Sequence, residues 1–404
     1  MENGLEKGNE QKDLVLTVEA GAHDRFWEPV TAIVDEEAVG AIPCCCCSGM
    51  QAVMENGLKC PVQVERLEGK LALTWLVPSL KAGHTLDFTI TPDCSCEGES
   101  GVELAERGDG DATVIDIKVN GEHFTSYHYG ANLPRPFLYP VYLSPGVAVT
   151  RHFPMRDDVE GEPHDHRHHR SIWFTHGDVN GHDNWSENPG HAVTRHNSFT
   201  KMESGPVFGT LASDNTWYSV DGKPLLNHKL EMKVYALPSG IRLADFQQEF
   251  SADFGDIVFG DTKEGGLLSV RVAGTMQENK GGQIQLASGA CSEKEAWGQP
   301  APWCHYTGLV YGPNGPVATG IAIMDHPENP RHPSHWHVRA YGLMTANPFG
   351  HSHFYRNKER NGSMTLPAGK KVVFRYRLLI HDGEPGHLQG MYPGWAFPAK
   401  VSVK

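Results

Sequence analysis

Histidines crowd two stretches of this chain. The first, DDVEGEPHDHRHHRSIWFTHGDVNGHDNW from Asp157 to Trp185, holds His164, His166, His168, His169, His176 and His182 among acids, arginines and two tryptophans. The second, DHPENPRHPSHWHVRAYGLMTANPFGHSHF from Asp325 to Phe354, adds His326, His332, His335, His337, His351 and His353, out of 23 in the chain. Histidine changes charge near neutrality and is the commonest metal ligand, so both acid/base chemistry and metal binding must be weighed.

The spacing of His164, His166 and His168 is two. If Pro163 to Arg170 is extended, their rings share one side, each about 6 to 7 Å from the next. His335 and His337 repeat that geometry, so His166, His168, His335 and His337 are candidate ligands for a divalent zinc, iron or manganese ion. No HExxH, no CxxC pair and no cupin-like HxH with a nearby glutamate accompanies them. The plainer alternative is a polar cleft whose histidines hydrogen-bond to hydroxyl groups.

Neighbouring residues favour that cleft. Arg151, Arg170 and Arg339 offer donor forks, Asp178, Asn180 and Asp183 offer acceptors, and Trp173, Trp185, Trp297, Trp303 and Trp336 offer flat apolar faces. A sugar ring, with hydroxyls at its rim and C–H groups on its faces, is held by this mixture, although any one tryptophan alone is more often core than platform. In TKEGGL, Lys263 and Glu264 precede two glycines that let the backbone bend sharply. Glu264 is the preferred carboxylate, against the bland reading of a surface Lys/Glu turn; Glu249 is a weaker candidate.

The elements that must position these groups read as strands. The chain's 44 glycines and 27 prolines interrupt short alternating segments, and no long stretch keeps a helical period. Val372, Phe374, Tyr376, Leu378 and Ile380 alternate with Arg375 and Arg377, Leu230, Met232 and Val234 alternate with charged residues, and Asn120-Gly121 and Asp221-Gly222 suit tight hairpins. The expected class is all-β. The polar, glycine-rich CSCEGESGVELAERGDGD from Cys94 to Asp111 suggests a boundary: a disordered N-terminus over 1–12, a small β-sandwich over 13–105, and a large β-sandwich over 106–404 that carries the site.

Composition bounds the partners. With 49 acidic against 35 basic residues the formal charge is −14, which argues against a non-specific hold on nucleic acid or anionic lipid. No apolar stretch approaches the roughly 18 residues of a membrane span. Nine cysteines without regular spacing, four of them consecutive at Cys44 to Cys47, fit reduced thiols in a cytoplasmic protein better than a disulfide framework. The four consecutive thiols point alternately to opposite faces if extended and so make a poor metal site.

The strings YHYGANLPRPFLYPVYLSPGVAVTRHFP, DHRHHRSIWFTHGDVNGHDNW, TKEGGL, AWGQPAPWCHYTG, DHPENPRHPSHWHVRAYGLMTANPFG and LPAGKKVVFRYRLLIHDG, between about Thr113 and Asp382, resemble a bacterial family labelled methane oxygenase PmoA-like. The resemblance implies a large β-sandwich (supersandwich) similar to galactose mutarotases and related carbohydrate-active proteins, preceded by a small β domain. The chemistry in the label itself is set aside: a particulate methane oxygenase subunit lies in a membrane, whereas this chain has no spanning segment and a mean hydropathy of −0.41. Mutarotase-like enzymes set a histidine acid and a carboxylate base across a sugar ring, and His169 or His176 with Glu264 take those parts here. HHRSIWFTHG is richer in histidine and arginine than the short His-Gly signature of aldose mutarotases, which leaves room for a different reaction.

The leading expectation is an enzyme acting on a sugar or oxidised sugar by mutarotation, epimerisation, elimination or glycosidic cleavage. His169, His176, Glu264 and His337 are the catalytic candidates. Arg151, His166, His168, Arg170, Trp173, Asp178, Asn180, Lys263, Trp297, Asp325, His326, His335, Trp336, Arg339 and Asn347 are the substrate-binding candidates. Two alternatives stand beside it: a metal-dependent oxidoreductase or hydrolase built on the paired H-x-H segments, and a non-catalytic carbohydrate-binding protein. The density of ionisable groups argues against the last.

Overall fold

Asn120 and Gly121 turn the chain as their types allow, with φ of 51° and 78°, and join antiparallel strands Ala112–Val119 and Glu122–His128. Pairing of this kind dominates the computed structural model, which describes residues 14–39, 49–93, 101–109, 112–383 and 388–404. The expected N-terminal tail and the Cys44–Cys47 run lie outside the described residues. The fold is all-β, and every strand pairing described is antiparallel. No helix among the described residues is long and apolar enough to cross a membrane.

Contacts divide the chain into two units, one of residues up to 98 together with 389–404, the other of 99–388. In the first, strand Lys59–Leu67 pairs through Cys60 and Val62 with Gly49–Met54 and through Gln63 to Leu67 with Lys70–Leu80, so it belongs to both halves of a bent seven-stranded sheet. Leu16, Val18, Leu73, Trp75, Val77 and Phe88 fill its core.

The end of the chain differs from expectation. The expected large region runs to residue 404, whereas Lys400–Val403 pairs with Leu14–Glu19, Leu16 opposite Val403 and Glu19 opposite Lys400. The physical reason is local satisfaction of polar groups. The returning strand pairs an otherwise open edge of Leu14–Glu19, and the buried Arg25–Glu28 pair holds the segment that leads into it: Arg25 Nη1 donates to the Phe397 carbonyl (2.6 Å) and Glu28 Oε1 accepts the Ala399 N–H (2.8 Å).

The second unit is a sandwich. One sheet runs in the order His335–Val338, Leu343–Asn347, Gly265–Arg271, Ile172–His176, Phe137–Ser144, Glu122–His128, Ala112–Val119, Val102–Asp109. The other has eight strands, including Phe208–Tyr218, Pro224–Tyr235, Ile241–Ser251, Gly315–Asp325 and Lys371–Asp382. Alternation sends Ile172, Leu268, Val270, Trp336, Met344 and Ala346 of the first sheet into one core with Trp217, Leu230, Met232, Phe246, Phe374 and Tyr376 of the second. Arg377, which alternates with these core residues, is only 4% exposed and makes a two-pronged ion pair with Asp245 (2.6 and 2.7 Å).

Candidate active site

The outer face of the first sheet carries a row of polar and aromatic side chains. Cross-strand partners run His337, Thr345, Ser269, Trp173, Phe137, His128, and directly opposed residues present their side chains on the same face. Register thus brings the second histidine stretch and the first onto one surface, although the start of one (Asp325) follows the end of the other (Trp185) by 140 positions. Trp336, one residue from His337, faces the other way: it is fully buried in the core and donates its Nε1–H to the Ala301 carbonyl (2.9 Å). It is therefore a packing residue and no platform for a ligand.

The segment above Trp173 departs from the extended form expected for Pro163 to Arg170. His166 has φ 42° and its carbonyl accepts the His169 N–H at 2.9 Å, so the chain turns. His164 peels away to stack on Phe153, with centroids 4.6 Å apart. Two buried arginines enforce the turn. Arg151 donates to the carbonyls of Phe153, Asp165 and His166 (3.0, 2.9 and 2.8 Å) and pairs with the Asp165 carboxylate. Arg271 reaches Asp165 Oδ1 at 2.8 Å and His169 Nδ1 at 2.9 Å. Fully buried and committed to the loop, Arg151 shapes the site without presenting donors to a ligand.

Aromatic stacking extends this turn. His169 lies on Trp173 (5.2 Å), His166 on His169 (4.8 Å), and Tyr341 on His166 (4.8 Å). The Arg271 and Arg339 guanidinium groups lie over the Tyr341 ring at 4.7 and 5.4 Å. Arg339 also pairs with Glu293 at 2.8 Å. Arg170 makes a two-pronged pair with Glu187, both distances 2.7 Å, and sits 5.5 Å over Phe137.

Glu264 stands where the segments meet. Its carboxylate pairs with Lys263 Nζ at 2.9 Å, both side chains being partly exposed, and it interacts electrostatically with His168, His337 and Tyr341. Burial, the largest influence, would raise its pKa. The Lys263 hydrogen bond and the charges around it outweigh burial, and the group is held below its ordinary value. Close packing fixes this turn: a Cβ on Gly177 would lie 2.0 Å from the Glu264 carbonyl, one on Gly265 2.4 Å from His176 Nδ1, and one on Gly266 1.3 Å from Thr345 Oγ1. Asn347, a substrate-binding candidate, instead holds the turn from below, donating Nδ2 to the carbonyls of Thr262 and Lys263 (2.9 and 3.1 Å).

Both central imidazoles are neutral and pinned. Trp297 Nε1–H donates to His337 Nδ1 at 2.9 Å, and the arginine described above donates to His169 Nδ1. Neither indole N–H nor guanidinium can accept, so each ring carries its proton on Nε2. Burial pushes His337 down to about 3 and His168 to about 4, and holds His169 well below its ordinary value. His337, with Nδ1 occupied and Nε2 protonated, lacks the free lone pair that the role of proton acceptor requires; it is a hydrogen-bond donor.

Other candidates lie apart. His176 is fully buried, its Nε2 2.8 Å from the Gly260 carbonyl and its ring against Phe349 (4.8 Å), with burial pushing it down to about 4. His335 stacks on Phe354 and lies 3.1 Å from Tyr355 Oη, in a group with His351 rather than with His166 and His168. Among the described residues no three of His, Cys, Asp and Glu gather as ligands for an ion. Asp178 and Asn180 form a turn, accepting the N–H groups of Gly181 (2.8 Å) and Val258 (2.7 Å). Asp325 is buried, with Asn329, His332 and the Ser334 N–H around it at 2.7 to 2.8 Å, and His326 Nδ1 accepts the Glu328 N–H at 3.2 Å. These groups hold loops.

Sequence reasoning missed Asp165, Glu187, Arg271 and Tyr341. Arg271 had a signal: it is the one charged residue of the strand GGLLSVR, whose other side chains are apolar apart from Ser269, and a cation on a buried strand demands a carboxylate partner. Tyr341 had none beyond following Arg339 by two positions.

No curated protein matches the chain. The model of a family of unknown function (DUF6807) matches residues 114–389, about two thirds of the sequence, and spans every side chain of the site described above. The chain belongs to that family.

Proposed function

We propose that this protein is an enzyme that acts on a sugar or an oxidised sugar, with Glu264 as the proton-accepting carboxylate. The observation that carries the reading is Glu264 itself, ionised and within electrostatic reach of His168 on one segment and of His337 and Tyr341 on another. An ionised carboxylate begins chemistry by taking a proton. The neutral imidazole N–H groups of His337 and His169 donate hydrogen bonds to oxygens on which negative charge develops. Tyr341 and His166 supply flat faces for the C–H side of a ring. The resemblance to mutarotase-like proteins, in which a histidine and a carboxylate flank a sugar, supports the same assignment.

This arrangement favours mutarotation, epimerisation or elimination over glycosidic cleavage, which needs a carboxylic acid kept protonated to release the leaving group. Crystals soaked with neutral and oxidised mono- and disaccharides test the reading. A ring bound against Tyr341 with an oxygen or acidic C–H directed at Glu264 is expected. Sugars bound only elsewhere, or not at all, overturn it.

A further inference from the structure

Beside the Glu264 turn lies a second concavity that the roles above do not use. It is an open cavity of about 620 Å³ lined by Asp261, Ser352, His353, Arg356, Lys358 and Asn361. Its floor is braced: the Asp261 carboxylate accepts the N–H groups of Ser352 (3.0 Å) and Gly362 (2.8 Å), and Arg331 donates to the carbonyls of Pro348 (3.2 Å) and Ser363 (2.8 Å). Asp261 is thus held by backbone donors but remains a charge, leaving one carboxylate against two cations in the lining. Arg356 and Lys358 are exposed and make no ion pair among the described residues, in a chain whose formal charge is −14. Unpaired cations at a concave site in an acidic protein form a local positive field.

Two covalent or packed links tie this cavity to the site. Glu264 follows Asp261 by three residues, so their Cα atoms are at most about 11 Å apart. On the other side His353 adjoins Phe354, whose ring packs 5.4 Å from Trp297, the donor to His337. The Asp261–Glu264 spacing is within the length of a substituted sugar or a disaccharide, so a ligand with its reacting carbon at Glu264 is long enough to reach the cationic cavity.

Resting on the reading of Glu264 as catalytic base, we infer that the substrate is an anionic saccharide, whose carboxylate or phosphate is held by Arg356 and Lys358 in this cavity. Arg supplies a planar fork for either anion and Lys a point charge. The two sources of negative charge share one recognition chemistry, and the choice of probes separates them.

The test is calorimetric titration of the full chain with glucuronate, glucose 6-phosphate and glucose. One or both anions bind with Kd below about 10 mM, and glucose binds at least about tenfold more weakly. The double substitution Arg356→Ala and Lys358→Ala, on exposed side chains, leaves Tm unchanged and weakens anion binding by about tenfold or more. Equal binding of glucose, unchanged binding by the double variant, or no binding of either anion overturns the inference. Glu264→Gln separates the two readings, because it removes turnover while leaving anion binding in place. Retained turnover in that variant with intact anion binding refutes the catalytic role alone.

Discussion

Arg271 donates through Nη1 to Nδ1 of His169 at 2.9 Å, and because a guanidinium has no lone pair, the bond fixes the imidazole as the neutral tautomer protonated at Nε2. The same cation holds Asp165 and covers Tyr341, so one buried side chain sets the position, tautomer and electrostatics of three groups at the site.

Replacing Arg271 by Met should release this constraint. His169 is held down first by burial and then by the charges of His168 and Arg271. The variant's His169 is expected to titrate at higher pH than in the parent, though still below its ordinary value because burial persists. Imidazole ¹⁵N spectra read this directly. An unmoved titration and an unchanged tautomer mean that Arg271 does not set the state of the ring.

Trp297→Phe keeps an aromatic ring beside His337 and removes only the Nε1–H donor. Loss of one buried hydrogen bond is expected to cost about 1 to 2 kcal/mol. His337 should then populate both neutral tautomers, which the same spectra detect. A variant as stable as the parent, with a single Nε2–H tautomer, shows that packing rather than the indole donor orients His337.

Much of the architecture was legible because it depends on local pattern. Alternation along Val372 to Ile380 and the Asn120-Gly121 and Asp221-Gly222 hairpins read directly as strands and turns. The presence of Glu264, His168 and His337 at one site was also legible as composition, two histidine stretches and one glycine-flanked acid. Roles within the site were not. Arg151 and Arg271 look alike in sequence to an arginine that meets a ligand, and only the fold shows that Arg151 is consumed by loop carbonyls and Asp165, and Arg271 by Asp165 and His169. His176 and Trp336 resemble their active neighbours, but one-residue parity on a strand sends Trp336 to the core while His337 faces out. The return of Lys400–Val403 to the first strand is a long-range pairing that no local pattern encodes.

Acid should destabilise the protein from near neutrality. His176 and His337 have folded values of about 4 and about 3, and His228, also fully buried, about 3. The unfolded chain therefore binds protons below about pH 6.5 where the folded chain does not. Stability is complete above that pH and falls as pH drops toward the folded values, by roughly 2 to 3 kcal/mol for each of these histidines at about pH 4.5. Asp165, whose carboxyl Arg271 and His166 hold below its ordinary value despite burial, adds a loss in the same direction at lower pH. Denaturant midpoints across pH 4.5 to 8 check the slope; a flat profile over that range contradicts it.

Gly177→Ala places a methyl 2.0 Å from the Glu264 carbonyl, a backbone atom that cannot rotate aside. The turn must shift, at an expected cost of about 1 to 3 kcal/mol, and turnover should fall with it. Gly181→Ala, four residues on at an open position, serves as the comparison: only the strain of its positive φ of 79° applies. Equal activity in the Gly177 variant and the parent shows that the position of Glu264 is not critical.

The measurement that bears most directly on the central claim is turnover of a soaked-in, structurally verified sugar by the parent and by Glu264→Gln, followed by NMR in D₂O. Loss of the carboxylate as base is expected to lower kcat by about 100-fold or more, with solvent exchange at the reacting position abolished and Tm unchanged. Undiminished kcat in a folded Glu264→Gln protein contradicts the account.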